Sequence, residues 1–396
     1  MFTEPLWGIS INLILPYASV YMIAKGLSDT QVGFIAMVFM LSQMVCSFLG
    51  GPITDKLGRR LTTAVFDFTA WSIPCLIWWW AGNFWFFFIA AIINGTTQIV
   101  TNSWNCLIAE DAEKEEITGI SSLISIAVHL SALLGPVTIL LFSRLGLVSA
   151  MRILYINGFL IMTFKVWLTY HLSRETQMGR IRMEETRGKN IFSLAAGYGN
   201  VFRIIAKSPD TIFTLVISVI VGIVIMINTT FWQIIVSKKL LVPVKFLPIF
   251  PLLRSVISIV FLFFIMPRMS RRFLKLPLLV GFVCFIIGHL ILVITPSGTS
   301  FKYVMLCVSL VFDGFSISTL QVLVRALIAL NVNPKERARL TAILYLVTMA
   351  ATAPFGWIGG ILSDISRSLP FIMNLCLLGL GVYVTEKYFK KPQITH

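Results

Sequence analysis

The sequence predicts an all-α membrane protein with twelve transmembrane helices in two pseudo-symmetric halves of six. Its composition is 57% hydrophobic and 12% charged, and its mean hydropathy is +0.88. A bilayer core about 30 Å thick takes roughly 20 mostly apolar residues per spanning helix. Windows of that length begin near Pro5, Thr30, Leu61, Asn83, Thr118, Leu147, Asp210, Lys245, Phe273, Phe301, Leu340 and Leu369.

The division into halves rests on a polar stretch and on weak internal similarity. Residues 1–171 form the predicted N-terminal half, 172–209 a cytoplasmic linker, and 210–396 the C-terminal half with a short tail. Gly135–Pro136, which follows Leu107–Ala109, has a counterpart in Ala353–Pro354, which follows Leu327–Ala329. A shorter basic segment at Arg268–Arg272 resembles the Gly51–Arg60 segment without its acid. Such duplication is typical of transporters built from parallel repeats.

The net charge of +15 indicates membrane topology and not a nucleic-acid partner. Most of the 32 lysines and arginines fall in alternate loops on one side of the predicted membrane. The cytoplasmic loops of membrane proteins carry an excess of lysine and arginine. We therefore expect a bacterial-type inner membrane protein with both termini on the cytoplasmic side.

The loop between the second and third spans, Gly51–Arg60, carries the most specific motif. It reads G-P-I-T-D-K-L-G-R-R and meets every specified position of G-x-x-x-D-[RK]-x-G-R-[RK]. This pattern resembles the corresponding loop of major facilitator superfamily transporters, and the chain is similar to bacterial drug and metabolite transporters of that family. The resemblance implies the twelve-helix fold predicted above, with a solute site between two halves that alternate in access.

The resemblance also implies a conformational latch in this loop. An acid at the end of the second helix favours a nearby cation because the helix C-terminus is negative. Arg59 and Arg60 are the expected cation partners of Asp55, and Arg59 is also expected to pair with Asp111 or Glu110 after the fourth span. The glycines permit tight packing and a sharp turn. The alternative is that the basic residues only set topology. The latch candidates are Gly51, Asp55, Lys56, Gly58, Arg59, Arg60, Glu110 and Asp111.

Polar residues on one face of the fourth span predict a solute cavity. Asn94, Gln98, Asn102 and Asn105 are spaced by three or four residues and so share a face. Amide side chains inside the bilayer must hydrogen-bond to protein or to water in a cavity. The alternative to a solute cavity is that these amides hydrogen-bond between helices. The substrate-cavity candidates are Asn12, Tyr17, Tyr21, Asn94, Gln98, Asn102, Trp104, Asn228, Trp232, Gln233 and Gln321.

Ionisable residues inside spans are candidates for coupling transport to an ion. Asp313 is expected to pair with Arg254 or Arg325. This pair is expected either to sense substrate or only to fix helix packing. His129 is a candidate proton relay, with a packing role as its alternative. Asp67 lies near the start of its span, and it is expected either inside the membrane or among the charged residues of the cytoplasmic loops.

The predicted function is secondary active transport of a small organic solute. The sequence contains no Walker loop and no hydrolase motif, so we expect no enzyme activity, no cofactor and no metal. The partners are the lipid bilayer, the solute and a coupling ion (H⁺ or Na⁺), and the protein is expected to be a monomer. Alternatives are proton-coupled efflux of amphipathic drugs, uptake of a sugar-like metabolite, or a non-transporting sensor. The helix 4 arginine of the superfamily's proton antiporters is absent.

Overall fold

The computed structural model describes residues 3–111, 120, 123–124, 126–128, 130–190, 209–261, 264, 274–331 and 337–390. Every regular element in these ranges is a helix, which confirms the predicted all-α class. Ten helical segments are long and apolar enough to cross a membrane. The predicted span from Thr118 begins outside the described residues, and the span from Lys245 is described as Ile249–Val260. The candidate relay His129 and the Arg268–Arg272 segment also lie outside them.

The helices are numbered in chain order. Their bounds are α1 Glu4–Ala24, α2 Asp29–Leu57, α3 Arg59–Trp80, α4 Phe84–Ala109, α5 Gly135–Leu172, α6 Gln177–Glu185, α7 Pro209–Lys239, α8 Ile249–Val260, α9 Lys275–Ile294, α10 Lys302–Asn331, α11 Arg337–Thr352, α12 Pro354–Ile365 and α13 Leu369–Lys390.

Helix α5 joins the end of the predicted fifth span directly to the predicted sixth. The backbone turns at Gly146, whose φ of +71° lies in the left-handed region that glycine adopts without strain. No other residue type reaches this conformation as cheaply, so one glycine replaces a polar loop between the two spans.

The chain divides into two compact units. Unit 1 contains residues 1–27 and 34–200, and unit 2 contains residues 28–33 and 201–396. The core of unit 1 is aromatic: the Tyr21 ring lies 5.3 Å from that of Tyr155 and 5.9 Å from that of Phe87. The core of unit 2 is built from α7, α9, α10 and α13, with Phe282, Leu320 and Leu378 fully buried.

The first turn of α2 belongs to unit 2, where it exchanges caps with the end of α12. The Asp364 carboxylate accepts hydrogen bonds from the backbone N–H groups of Asp29 and Thr30, both at 3.0 Å. In return, Asp29 Oδ2 accepts from Ser363 Oγ at 2.6 Å and from Arg367 Nε at 3.2 Å. Anions at a helix N-terminus are favourable, so each carboxylate has a partner suited to its charge.

Helix α4 packs very closely against α2 within unit 1 at Gly95. A Cβ atom at this glycine would lie 2.2 Å from Ser42 Oγ and 2.9 Å from the Ser42 carbonyl carbon. Ser42 is held there because its hydroxyl donates to the Ile92 carbonyl oxygen at 2.7 Å. The close approach therefore depends on the missing side chain.

We expect Gly95→Ala to destabilise the protein by about 1–3 kcal/mol, because the added methyl group overpacks a backbone contact. The measurement is the thermal unfolding midpoint in detergent. The control is Gly379→Ala in α13, where an added Cβ meets none of the described atoms within 4 Å. Equal midpoints for the two variants would contradict the close packing.

Candidate functional site

The Gly51–Arg60 loop forms an ion cluster around the buried guanidinium of Arg59, which is 4% exposed. Arg59 Nη1 lies 3.0 Å from Asp55 Oδ1, and Arg59 Nη2 lies 2.9 Å from Glu110 Oε1. The Arg59 Nε–H also donates to Glu110 Oε2 at 3.0 Å. Of the two acids proposed as partners after the fourth span, Glu110 makes the contact, and Asp111 is exposed.

The linker completes this cluster, which the sequence reasoning missed. Glu175 accepts hydrogen bonds from the backbone N–H groups of Arg59 at 2.8 Å and Arg60 at 2.9 Å, and so caps the start of α3. Thr176 donates to Glu110 Oε2 at 2.5 Å. We call Asp55, Arg59, Glu110, Glu175 and Thr176 the loop cluster.

The two glycines of the motif differ in role. Gly58 has a φ of +84°, and a Cβ there would lie 2.7 Å from a Glu175 carboxylate oxygen, so it supplies both the sharp turn and room for the cap. A Cβ on Gly51 would meet no described atom within 4 Å. The expectation of tight packing at Gly51 is therefore wrong, because this face of α2 points away from its neighbours in the described part of the chain.

The remaining cations of the motif bind backbone carbonyl groups. Arg60 Nε donates to the Tyr170 carbonyl oxygen at 2.9 Å, and its guanidinium lies 4.1 Å from the centre of the Tyr170 ring. Lys56 Nζ donates to the Lys189 carbonyl oxygen at 3.0 Å. These contacts hold the first part of the linker beside the loop.

The groups around Glu110 stabilise the ionised form of its carboxyl group. Burial would raise its pKa, but the hydrogen bonds and charge of Arg59, together with the Thr176 hydroxyl, bring the pKa below the ordinary 4.5. Because the pKa is lower in the folded protein, Glu110 contributes stability above about pH 4.5, and that contribution is lost as the pH falls through the folded value.

We expect Glu110→Gln to lower the free energy of unfolding by about 1–3 kcal/mol at neutral pH, since hydrogen bonds to charged groups are worth that much. The difference from the wild type should shrink as the pH falls below 4.5. Thermal unfolding midpoints measured across this range test it, with the exposed Glu184→Gln as control. A gap that stays constant with pH would contradict the assignment.

Several predicted cavity residues of unit 1 hydrogen-bond to other helices. Asn94 Nδ2 donates to the Ala70 carbonyl oxygen at 2.6 Å, and Asn102 Nδ2 donates to Thr54 Oγ1 at 3.2 Å. Asn12 Nδ2 donates to the Val128 carbonyl oxygen at 2.9 Å, and Tyr21 to that of Trp78 at 3.2 Å. Tyr17 is buried, with its hydroxyl 3.5 Å from that of Thr138. Gln98 and Trp104 are half-buried.

Unit 2 contains a buried polar cluster centred on Asp313, which is 0% exposed in the middle of the 30-residue helix α10. Asn228 Nδ2 donates to Asp313 Oδ2 at 3.1 Å, and Asn228 Oδ1 accepts from Arg254 Nη2 at 3.1 Å. Arg254 Nη2 lies 4.0 Å from Asp313 Oδ2. The other predicted partner, Arg325, is exposed, as is Gln321.

His289 and Asn374 belong to the same cluster, and the sequence reasoning missed both. His289 Nδ1 lies 3.5 Å from Asp313 Oδ1, and His289 Nε2 lies 3.1 Å from Asn374 Nδ2. A histidine in an apolar span is itself a functional signal and could have been singled out. We call Asn228, Arg254, His289, Asp313 and Asn374 the Asp313 cluster.

Two predicted residues of α7 lie beside this cluster. The Trp232 ring centre is 5.4 Å from the Arg254 guanidinium carbon and 5.1 Å from the Phe250 ring centre. Within the described residues, Trp232 Nε1, Gln233 Oε1 and Arg254 Nε are buried without a hydrogen-bond partner. No group of three or more histidine, cysteine or acidic residues suited to a metal ion occurs in those same ranges.

Comparisons with known proteins agree with this fold. The family model described as Major Facilitator Superfamily matches residues 6–301. The quinolone resistance protein NorA of Staphylococcus aureus is 37% identical over 57 residues, which are 14% of this chain and 15% of that relative. This chain therefore matches NorA over only a small part of the length of that relative.

Solved structures match over almost the whole chain. A variant of the nucleoside transporter NupG has a TM-score of 0.79 at 14% identity and covers 98% of each chain. The xylose transporter XylE from E. coli has a TM-score of 0.70 at 16% identity and covers 99% of this chain and 97% of its own. With the family match over residues 6–301, the chain belongs to the major facilitator superfamily.

Proposed function

We propose that this protein is a secondary active transporter that moves a small, neutral organic solute across the cytoplasmic membrane by alternating access. The observation that carries the proposal is the Asp313 cluster. Asp313 is fully buried in a helix of a membrane protein, where an ionisable group is costly and is retained for function. Arg254, at 25% exposed, is the member of the cluster that a solute or water can reach.

In the proposed mechanism, Asp313 carries the coupling proton. When Asp313 is ionised, Arg254 and Asn228 stabilise its charge. When it is protonated, Arg254 is released to donate hydrogen bonds to solute hydroxyl groups. Asp313 Oδ1 has no hydrogen-bond partner among the described groups, so this oxygen is the proposed place of the proton. The ionisation state of Asp313 then sets the affinity for solute.

The solute class follows from the side chains beside the cluster. Arg254, at 25% exposed, can donate hydrogen bonds to solute hydroxyl or carbonyl groups, and the buried Trp232 ring lies against its guanidinium. A carboxylate, an arginine and amides suit a neutral polar ligand better than a strongly charged one. The names of similar proteins, a nucleoside and a xylose transporter, agree with this class. The short match to NorA favours drug efflux as a second candidate.

The remaining parts of the proposal concern topology and the loop cluster. The distribution of lysine and arginine favours two cytoplasmic termini, as the positive-inside rule requires. The loop cluster is then cytoplasmic, and its ion pairs act as a latch that biases the conformational equilibrium. The protein works as a monomer, and its activity is transport and not covalent catalysis.

We expect Asp313→Asn to abolish proton-driven accumulation while solute exchange continues. In proteoliposomes, a pH difference of one unit supports about tenfold accumulation per proton, because one unit corresponds to about 1.4 kcal/mol. The probes are nucleosides, sugars and quinolones chosen by a thermal-shift screen. The exposed Glu184→Gln should accumulate solute as the wild type does. Full accumulation by Asp313→Asn would overturn the coupling role, and no flux by the wild type would favour a sensor.

Substitutions of Gln98 and Asn94 distinguish a side chain that contacts the solute from one that only packs between helices. We expect Gln98→Ala to reduce solute transport without changing the unfolding midpoint, because its half-buried amide is proposed to face the solute. Asn94→Ala should lower stability by about 1–3 kcal/mol, because it leaves the buried Ala70 carbonyl group without its donor. Unchanged transport by Gln98→Ala would contradict the proposed cavity on α4.

A further inference from the structure

Helix α9 contains a fully buried histidine, His289, that the proposed mechanism does not use. Its ring nitrogen Nδ1 lies 3.2 Å from the Phe285 carbonyl oxygen and 3.5 Å from Asp313 Oδ1. The other ring nitrogen, Nε2, lies 3.1 Å from Nδ2 of Asn374 on α13, whose side chain is also fully buried. A neutral imidazole donates from one nitrogen and accepts at the other, so the position of its single proton decides what His289 presents to Asp313.

The orientation of the Asn374 amide follows from its two neighbours. Asn374 Nδ2 lies 3.3 Å from the Val224 carbonyl oxygen of α7 and 3.1 Å from His289 Nε2. A carbonyl oxygen only accepts hydrogen bonds, so the amino group of Asn374 faces Val224. The two hydrogens of this amino group supply one hydrogen bond to each neighbour. In the opposite orientation, two carbonyl oxygens would face each other with no proton between them.

These contacts place the imidazole proton on Nδ1. His289 Nε2 faces the amino group of Asn374 and therefore accepts, which leaves Nδ1 as the donor. The Nδ1–H group is directed to the Phe285 carbonyl oxygen, and the Asp313 carboxylate lies at the limit of hydrogen-bond distance. A second proton on Nε2 would meet the hydrogens of the Asn374 amino group, so the cationic form of the ring does not fit this arrangement.

The surroundings of His289 also favour a neutral ring. The Phe285 and Phe371 ring centres lie 4.7 Å and 5.4 Å from the His289 ring centre, and the histidine is 0% exposed. A buried charge needs a partner, and a cationic His289 would depend on Asp313 for it. Such a pair would occupy the carboxylate that the proposed mechanism requires for the coupling proton.

We propose that Asn374 is a positioning residue that holds His289 as the neutral Nδ1–H tautomer and so keeps a second cation away from Asp313. The inference rests on the proposed coupling role of Asp313 and names the residue that preserves it. Asp313, from α10, is the charged group that faces His289, and Arg254, from α8, is the cation that faces Asp313. A positive imidazole 3.5 Å from Asp313 Oδ1 would favour the ionised carboxylate and oppose its protonation.

The first test is nitrogen NMR spectroscopy of the purified protein with isotope-labelled histidine, at about pH 7. Ring nitrogens with and without a proton have distinct chemical shifts. The chain contains four histidines, and His289→Gln identifies the His289 signals by their loss. We expect a proton on Nδ1 and none on Nε2 in the wild type. A proton on Nε2 of the wild type would overturn the inference.

The second test is Asn374→Asp, measured by NMR and by transport. An ionised carboxylate accepts hydrogen bonds and donates none, so we expect it to draw a proton onto His289 Nε2 and make the ring a cation. Proton-driven accumulation should then fall from about tenfold per pH unit towards none. Solute exchange should continue. Full accumulation by a variant whose Nε2 is protonated would show that Asn374 does not protect the coupling acid.

Asn374→Ser provides a second variant that decides the question if Asn374→Asp does not fold. A hydroxyl group can donate or accept, so it fixes neither tautomer, and we expect the single Nδ1–H signature of His289 to be lost. Retention of that signature in every Asn374 variant that folds would overturn the role of Asn374.

Asp313→Asn distinguishes this inference from the transport proposal. This variant should lose accumulation while His289 keeps its proton on Nδ1, because the Phe285 and Asn374 contacts remain. Full accumulation by Asp313→Asn would overturn the coupling role and leave the tautomer standing, since the NMR measurement requires no solute. A proton on Nε2 in the wild type would overturn the tautomer and leave the coupling role standing.

Discussion

The structure depends on one constraint, which is that charged groups in a chain this apolar need partners inside the protein. Lipid offers no hydrogen bonds, so an ionisable side chain must be paired, neutralised or in contact with water. Asp313 is held by Asn228, Arg254 and His289, and Asp67 is held by Lys165. Function enters where the pairing is incomplete, because an oxygen without a donor is a place for a proton or a ligand.

The sequence predicts well what lies within one segment of chain. The spans follow from hydropathy, and the Asp55–Arg59 pair follows from a spacing of four residues at a helix boundary. Gly58 is identified by its place in the motif, and its left-handed backbone agrees with that assignment. Gly51, in the same motif, shows that a motif position does not fix its packing, which depends on the neighbouring helices.

Contacts between distant segments could not be predicted. Glu175 is 115 residues from Arg60 in sequence, and only the folded chain brings its carboxylate to the start of α3. For the same reason, the sequence could not predict that Asp313 pairs with Arg254 and not with Arg325. Arg325 is twelve residues away along one helix, about 18 Å at 1.5 Å per residue, whereas Arg254 comes from another helix. The amides of Asn94 and Asn102 look equivalent to Gln98 on a helical face, but helix packing commits them to protein partners.

The cap that Glu175 places on α3 also determines which parts of the linker tolerate insertion. Leu172 ends α5, so only two residues separate that helix from a carboxylate that must reach two backbone N–H groups. Thr186, which donates to the Asp55 carbonyl oxygen at 3.2 Å, fixes the far end of the same stretch. A reporter domain or epitope tag placed between these points would displace the start of α3. The stretch from Ser173 to Thr186 is therefore a structural element of unit 1 and not a spacer.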